Sequence, residues 1–245
     1  MQAFGVKGSV AVIVVNYGTA DLAIAAVESV LGHTHDGHPV EVHLLDNASP
    51  GQDAEHLRQA HAARDWGGRV TLWLEPVNHG FGRGNNVVLQ ALEKRAAPPD
   101  YVFLLNPDAM LKNEAVAVLA DFLDAHPQAD VAGAGLHRPD GTPVRAAFRF
   151  PSLASEFGET LCFGPISRFF AGVTVALPVN QPRSRVDWVT GAAVMFRFAA
   201  LRQAGFFDPD FFLYFEETEL IHRIGHEFGI TVLLSSHLLE EVERI

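Results

Sequence analysis

Tyr101-Val-Phe-Leu-Leu-Asn-Pro-Asp-Ala-Met-Leu111 is the segment around which the rest of the chain is read. Its first five residues are apolar and β-prone, a run short enough for a strand buried on both faces. The run stops at Asn106-Pro107-Asp108, because Pro107 has no N–H to give to a sheet ladder. Asp108 then projects from the carboxyl end of a central strand, where open α/β sheets place their ligands. A carboxylate there can hold Mg²⁺ or Mn²⁺, and the ion can hold a diphosphate. The competing reading makes Asp108 an N-cap for a helix from Met110 onward.

Outward from this segment, strand and helix alternate. Ser9 to Val15, Val40 to Leu45, Arg69 to Leu74 and Ala129 to Gly135 read as further strands. Asp21 to Leu31, Gln52 to Arg64, Val87 to Arg95 and Asn113 to Ala125 read as helices. That alternation predicts an α/β fold: a mostly parallel, doubly wound central sheet with helices on both faces and right-handed crossovers. The second half changes character. Thr142 to Phe150 suits an antiparallel strand, Pro151 to Pro182 a long loop, and Arg185 to Phe196 a strand with a tight Gly191 in it. A short helix from Ala199 to Ala204 ends at Gly205. Phe206 to Phe215 is densely aromatic, as core or as a stacking platform for a ligand. A helix from Glu216, a strand at Ile230 to Leu234 and an acidic helix from His237 follow.

Composition limits the function. The 245 residues, 48% hydrophobic, supply the core of one globular domain. A net charge of −11 disfavours nucleic acid or an anionic membrane surface as an electrostatic partner, but not a metal-bridged phosphate. A lone cysteine, Cys162, forms no intrachain disulfide and fits a reducing, cytoplasmic setting. No apolar run reaches the length of a membrane span, since Leu161 to Leu177 is interrupted by Gly164, Pro165, Arg168 and Gly172. Any membrane contact is then peripheral.

Several stretches carry chemistry. Asp46 follows its strand directly in Leu44-Leu-Asp-Asn-Ala-Ser-Pro-Gly51, which can contact a nucleobase or form only an Asx-type turn. Asn78-His-Gly-Phe-Gly-Arg-Gly-Asn-Asn86 resembles a phosphate-cradling turn, although its glycine spacing is not that of the dinucleotide fingerprint. Asn85 and Asn86 there could cap the following helix. Glu216, Glu217 and Glu219 are either catalytic acids or first-turn helix decoration. His33, His35 and His38 read as a solvated loop cluster, with no acid or cysteine completing a metal site.

Taken together, these blocks resemble glycosyltransferase family 2, the GT-A fold of nucleotide-sugar transferases, and its rhamnosyltransferase-like members in particular. Val12 to Leu22 (VIVVNYGTADL), Asp187 to Arg197 (DWVTGAAVMFR) and Gly205 to Leu220 (GFFDPDFFLYFEETEL) complete six blocks in the family's order. The resemblance implies a GT-A domain over residues 1–228, with a nucleotide-sugar-binding half (1–135) and a smaller, partly antiparallel acceptor and catalytic half (136–228). It implies that Asn16, Tyr17 and Asp46 line the nucleobase and ribose pocket. Asn78, Gly80 and Asn85 would follow the nucleoside and diphosphate. Asn106-Pro107-Asp108 takes the place of the family's D-x-D motif, with Asp108 as the protein ligand to Mg²⁺ or Mn²⁺ and an amide, Asn106, where the first acid would be. Trp188, Thr190 and Gly191 would flank the donor sugar and the acceptor. Glu216-Glu217 matches the family's Glu-Asp pair, which makes Glu217 the expected base. The expected donor is a dTDP- or UDP-sugar, rhamnose on the subfamily likeness, and the acceptor a glycan or lipid-linked hydroxyl.

Inverting transfer fits these residues physically. It is one in-line displacement, so it needs a base on the acceptor side and a cation at the leaving diphosphate, and no enzyme nucleophile. Two rival readings remain: a nucleotide-sugar-binding module without turnover, and a sugar nucleotidyltransferase, which lacks here its basic Gly-rich N-terminal loop. Gly225 to Ile245 (GHEFGITVLLSSHLLEEVERI) instead resembles the switch-histidine segment of ABC-transporter ATPases, although neither a Walker A loop nor a signature motif accompanies it. Residues 229–245 therefore read as an atypical strand–helix tail, fused between Glu216 and Gly225, from which His237 could approach the diphosphate.

Overall fold

The computed structural model describes residues 7–64, 66–148, 184–213, 215–228, 231–235 and 241–244. The first half runs β1 (Val10–Asn16), α1 (Ala20–Leu31), β2 (Val40–Asp46), α2 (Asp53–Ala63), β3 (Val70–Leu74), α3 (Gly80–Glu93) and β4 (Tyr101–Leu105). It continues with β5 (Ala109–Leu111), α4 (Ala115–Ala125), β6 (Ala129–His137), β7 (Pro143–Val144) and β8 (Ala147–Phe148). The second half contains β9 (Ser184–Val186), β10 (Trp188–Val189), β11 (Ala193–Arg197), α5 (Phe198–Ala204), α6 (Glu216–Phe228), β12 (Thr231–Ser235) and β13 (Glu241–Arg244).

The main sheet has the order β3-β2-β1-β4-β11-β6-β12-β9. β1, β2, β3 and β4 pair in parallel, and β12 pairs in parallel with β6. β11 runs antiparallel between β4 and β6. β4, and β1 as far as Val15, are apolar because both faces are covered: all seven residues of β1, including its polar last residue Asn16, and all five of β4 are buried. Register then aligns the strand ends. Asn16 lies opposite Asp46, and Leu105 lies opposite Ala193, the first residue of β11. The carboxyl ends of β1, β2 and β4 thus share one edge with the amino end of β11.

Several boundaries differ from the sequence expectation. Asp108 caps no helix: Ala109–Leu111 is a strand, paired with β13, and the next helix starts at Ala115. The Gly-rich stretch is no free turn, since Gly80 already opens α3 and places Asn85 and Asn86 inside the helix rather than at its cap. Its glycines answer to close neighbours. A Cβ at Gly80 (φ +75°) would lie 2.0 Å from the Phe212 carbonyl oxygen, and one at Gly82 would lie 3.1 Å from Phe207 Cβ. Arg185 to Phe196 is three strands, not one, because the chain turns at Thr190–Ala192 between β10 and β11. Thr142 to Phe150 is divided between β7, which pairs with β6, and β8, which pairs with β10. Glu241–Arg244, expected in an acidic helix, is a strand that pairs with β5 and β6. The expected loop from Pro151 to Pro182, Cys162 and His237 lie outside the described residues.

Candidate active site

The shared sheet edge carries a hollow of about 250 Å³ lined by Asn106, Thr190, Gly191, Ala192, Glu216 and Glu217. Phe81 and Leu213 close its sides. Asn106 continues β4 and donates its backbone N–H to the Ala192 carbonyl at 2.9 Å, which ties the turn before β11 to the end of the central strand. The first turn of α6 brings in both glutamates. Gly191 lets that turn approach: a Cβ there would already touch Glu217 Cγ at 3.4 Å.

Both acids are electrostatically unusual. Burial pushes the Glu217 carboxyl above the ordinary carboxylate range, the neighbouring Glu216 charge adds to this, and the Gly191 backbone N–H opposes it. Glu216 is more enclosed, at 4% exposure, and its Oε2 has no hydrogen-bond partner. Burial raises its pKa as well. The residue before them, Phe215, has φ +66°, a left-handed conformation that a bulky side chain rarely adopts. Strain of this kind concentrates at functional sites.

A second constellation lies at the ends of β1 and β2. Asn16 is fully buried. Its Nδ2 donates to Asp46 Oδ1 at 2.9 Å and to Ser49 Oγ at 3.0 Å, while its Oδ1 accepts from the Thr19 N–H and hydroxyl. Its amide is therefore engaged within the protein and orients Asp46, whose Oδ2 accepts from the Ser49 N–H. Tyr17, by contrast, is 52% exposed beside them. Asn78 Oδ1 accepts from the Gly80 N–H at 2.8 Å. Asn85 donates to the Phe81 carbonyl, and its own Oδ1 is buried without a partner. Trp188 stacks on Phe148 with ring centroids 4.2 Å apart, on the β8–β10 pair, and is not among the groups lining the hollow.

Two residues that organise this edge were not singled out for it from sequence. Asn47 is buried; its Nδ2 donates to Asn78 Oδ1 and to the Gly80 carbonyl, both at 3.0 Å, and its Oδ1 accepts from the His79 N–H at 3.0 Å. Asn86 binds both backbone groups of Phe207, donating at 2.8 Å and accepting at 3.0 Å. For Asn47 the only signal was an asparagine beside an apolar strand end, whereas Asn86 lay in the Gly-rich stretch and was read only as a possible helix cap.

The sequence left the aromatic run between two readings, and it divides. Phe206 and Phe207 are core, whereas Phe212 and Phe215 are exposed. The histidine cluster also differs from expectation, because an acid does join it. Glu114 lies 3.6 Å from His33 and 4.0 Å from His35, whose buried ring nitrogens make no hydrogen bond. Burial holds the His35 pKa below its usual value. His38 faces elsewhere, toward Asp121 and the Gly8 carbonyl.

Among the described residues, no group of three histidines, cysteines or acids could hold a metal ion. Asn106 lines the hollow with its amide, whereas Asp108 follows two residues later in the turn between β4 and β5 and is not among the lining groups. One carboxylate is what Mg²⁺ or Mn²⁺ uses when substrate phosphates and water complete its shell, so the donor set fits such an ion. A larger cavity of about 720 Å³ opens at the opposite edge of the sheet, beside Tyr101, Asp124 and Arg197. There the Tyr101 hydroxyl, its pKa pushed up to about 12, donates to Asp124, and Arg197 donates to the Ala129 and Leu123 carbonyls.

A mostly parallel sheet interrupted by a reversed strand, with an acid-bearing hollow where the two directions meet, is the GT-A arrangement of glycosyltransferases. Residues 9–185 match the model of glycosyl transferase family 2, and the chain belongs to that family. A Mycobacterium tuberculosis protein named N-acetylglucosaminyl-diphospho-decaprenol L-rhamnosyltransferase is 27% identical over 206 residues, covering 81% of this chain and 65% of its own length. Rhamnosyltransferase WbbL of Escherichia coli is 26% identical over 154 residues, 60% of this chain and 54% of that protein. This chain thus spans less than two thirds of either relative. Among solved structures, the Pyrobaculum calidifontis mannosyltransferase PcManGT, in complex with GDP-Man and Mn²⁺, superposes with a TM-score of 0.66 at 17% identity, covering 97% of this chain and 57% of that one.

Proposed function

We propose that this chain is an inverting, divalent-metal-assisted glycosyltransferase. It moves a sugar, rhamnose by the names of its relatives, from a dTDP- or UDP-sugar to a hydroxyl of a lipid-linked or polysaccharide acceptor. The observation that carries the reading is Glu217, held against Gly191 in the hollow between the end of β4 and the start of β11, with its carboxyl raised by burial. A carboxylate made more basic in this way suits proton abstraction near neutral pH.

In the proposed reaction the acceptor hydroxyl lies against Glu217 and gives its proton to that carboxylate. The oxygen forms the new bond to the anomeric carbon from the face opposite the nucleotide. The old carbon–oxygen bond breaks, and its electron pair leaves on the diphosphate. Asp108 and the Asn106 amide would hold Mg²⁺ or Mn²⁺, which supplies positive charge to the departing diphosphate. Asp46, braced by Asn16, and the Asn78–Gly80 segment, braced by Asn47, would orient the nucleoside. Among the described residues no helix is long and apolar enough to cross a membrane, which fits a cytoplasmic protein meeting a lipid-linked acceptor at the membrane face.

The test is transfer from dTDP-rhamnose by wild type and by Glu217→Gln, with dTDP affinity measured alongside. The expected loss is about 10²–10⁴-fold in kcat with unchanged dTDP affinity. Equal rates would remove Glu217 from the mechanism. Tight dTDP binding with no turnover in either protein would favour a binding module instead.

A further inference from the structure

Phe212, Leu213 and Phe215 are 49%, 53% and 66% exposed within four consecutive positions. The nearby Phe206 and Phe207 are buried, so the fold has room for aromatic side chains and leaves these outside. Phe215 is exposed and also backbone-strained, at φ +66°. A bulky side chain held in that conformation and left in water contributes little to the folded state, and adjacent exposed apolar side chains mark interaction sites.

The patch is continuous with the hollow. Leu213 lines it, Glu216 and Glu217 follow directly, and the Phe212 carbonyl accepts from the Phe81 N–H at 3.3 Å, which fixes the segment at the rim. A molecule with its hydroxyl at Glu217 and a long substituent leaving past Leu213 leaves the hollow at the segment that carries the exposed Phe212 and Phe215. Phe and Leu have no polar atoms, so they suit hydrocarbon better than a sugar ring with hydroxyls on its edge. Phe211 to Phe215 carries no charge, and two acids follow at once in a chain of net charge −11. That combination attracts no anionic bilayer surface.

We propose that Phe212, Leu213 and Phe215 are the docking face for the isoprenoid-type hydrocarbon chain of the acceptor. The inference rests on the transferase reading of the hollow. It assigns acceptor choice in part to apolar contact outside the catalytic groups: shortening the chain weakens acceptor binding and leaves the donor site untouched.

The experiment is calorimetric titration of farnesyl phosphate and of inorganic phosphate into the whole chain held with dTDP and Mn²⁺. Wild type is compared with Phe215→Asn and with the double variant Phe212→Ser/Phe215→Asn. Asparagine tolerates the left-handed conformation, so Phe215→Asn should keep or raise Tm. Supporting results are farnesyl phosphate binding by wild type, none by phosphate, at least tenfold weaker binding in the double variant (about 1.4 kcal/mol) and unchanged dTDP affinity. No farnesyl phosphate binding, or equal binding in wild type and the double variant, overturns the proposal. So does a wild-type dimer that the double variant abolishes, or tighter binding to phosphatidylcholine vesicles than to farnesyl phosphate. If dTDP alone fails to bind, the donor reading falls, while the farnesyl titration still judges the patch.

Discussion

Replacing Gly80 by alanine tests how the two halves of the site are joined, and Gly51→Ala provides the reference. Both glycines have left-handed φ, +75° and +74°, so a Cβ strains both backbones alike, by about 1–2 kcal/mol. The loss of unfolded-state freedom is also the same for both substitutions and cancels. Their surroundings differ. At Gly51 nothing lies within 4 Å of the new methyl, whereas at Gly80 it would sit 2.0 Å from the Phe212 oxygen and 2.9 Å from the Phe212 carbonyl carbon. Backbone must move there, at about 1–3 kcal/mol for overpacking, and the Phe81–Phe212 hydrogen bond, worth about 1 kcal/mol, is lost. Gly80→Ala should therefore lie roughly 2–4 kcal/mol below Gly51→Ala in urea unfolding, with m unchanged. Under conditions where both variants are folded, Gly80→Ala should also lose more transfer activity, because the displaced segment carries Leu213 and leads into Glu216. Equal stability of the two variants to within about 0.5 kcal/mol would refute the reasoning.

Other outcomes follow from buried polar groups. Glu216 binds its proton more tightly folded than unfolded, so its contribution favours the fold in acid and is lost as pH rises above the unfolded value near 4.5. Glu216→Gln should therefore raise Tm at pH 7.5 and leave it nearly unchanged at pH 4, as calorimetry would read; a lower Tm at both pH values contradicts the unpaired-carboxyl account. Asn47→Ala removes three hydrogen bonds of a buried side chain around Asn78–Gly80 and should cost about 2–4 kcal/mol in stability. It should also weaken dTDP binding by roughly tenfold in calorimetry. Asp108→Asn should abolish the Mn²⁺-dependent part of dTDP affinity and leave the metal-free part intact.

The parallel core was readable because a strand covered on both faces has to be apolar, as β4 is throughout and β1 is from Val10 to Val15. The start of α3 was hidden, because Gly80, Gly82 and Gly84 look like turn residues until their neighbours are known. Those neighbours include Phe207 and Phe212, contributed by chain far away in sequence. Local pattern carries no trace of such contacts, and the Asn86–Phe207 clamp joins residues 121 positions apart. The break between β10 and β11 was missed for a related reason: Thr190–Ala192 is apolar enough to continue a strand, and the turn is set by docking against Asn106. Within the site, the glutamates were legible as a pair on a helix start. That Asn16 serves Asp46 rather than facing outward follows only from the register that sets β1 beside β2.

The reversed strand also bears on synthesis. β4 has β1 on one side and β11 on the other, and β11 comes much later in the chain. While a ribosome is still making the residues between them, β4 presents an open apolar edge with unsatisfied backbone groups, the kind that invites pairing with another nascent chain. Arrival of Ala193–Arg197 closes that edge and brings Thr190–Ala192 into the hollow in the same event, so the edge is covered only as the candidate cleft comes into being.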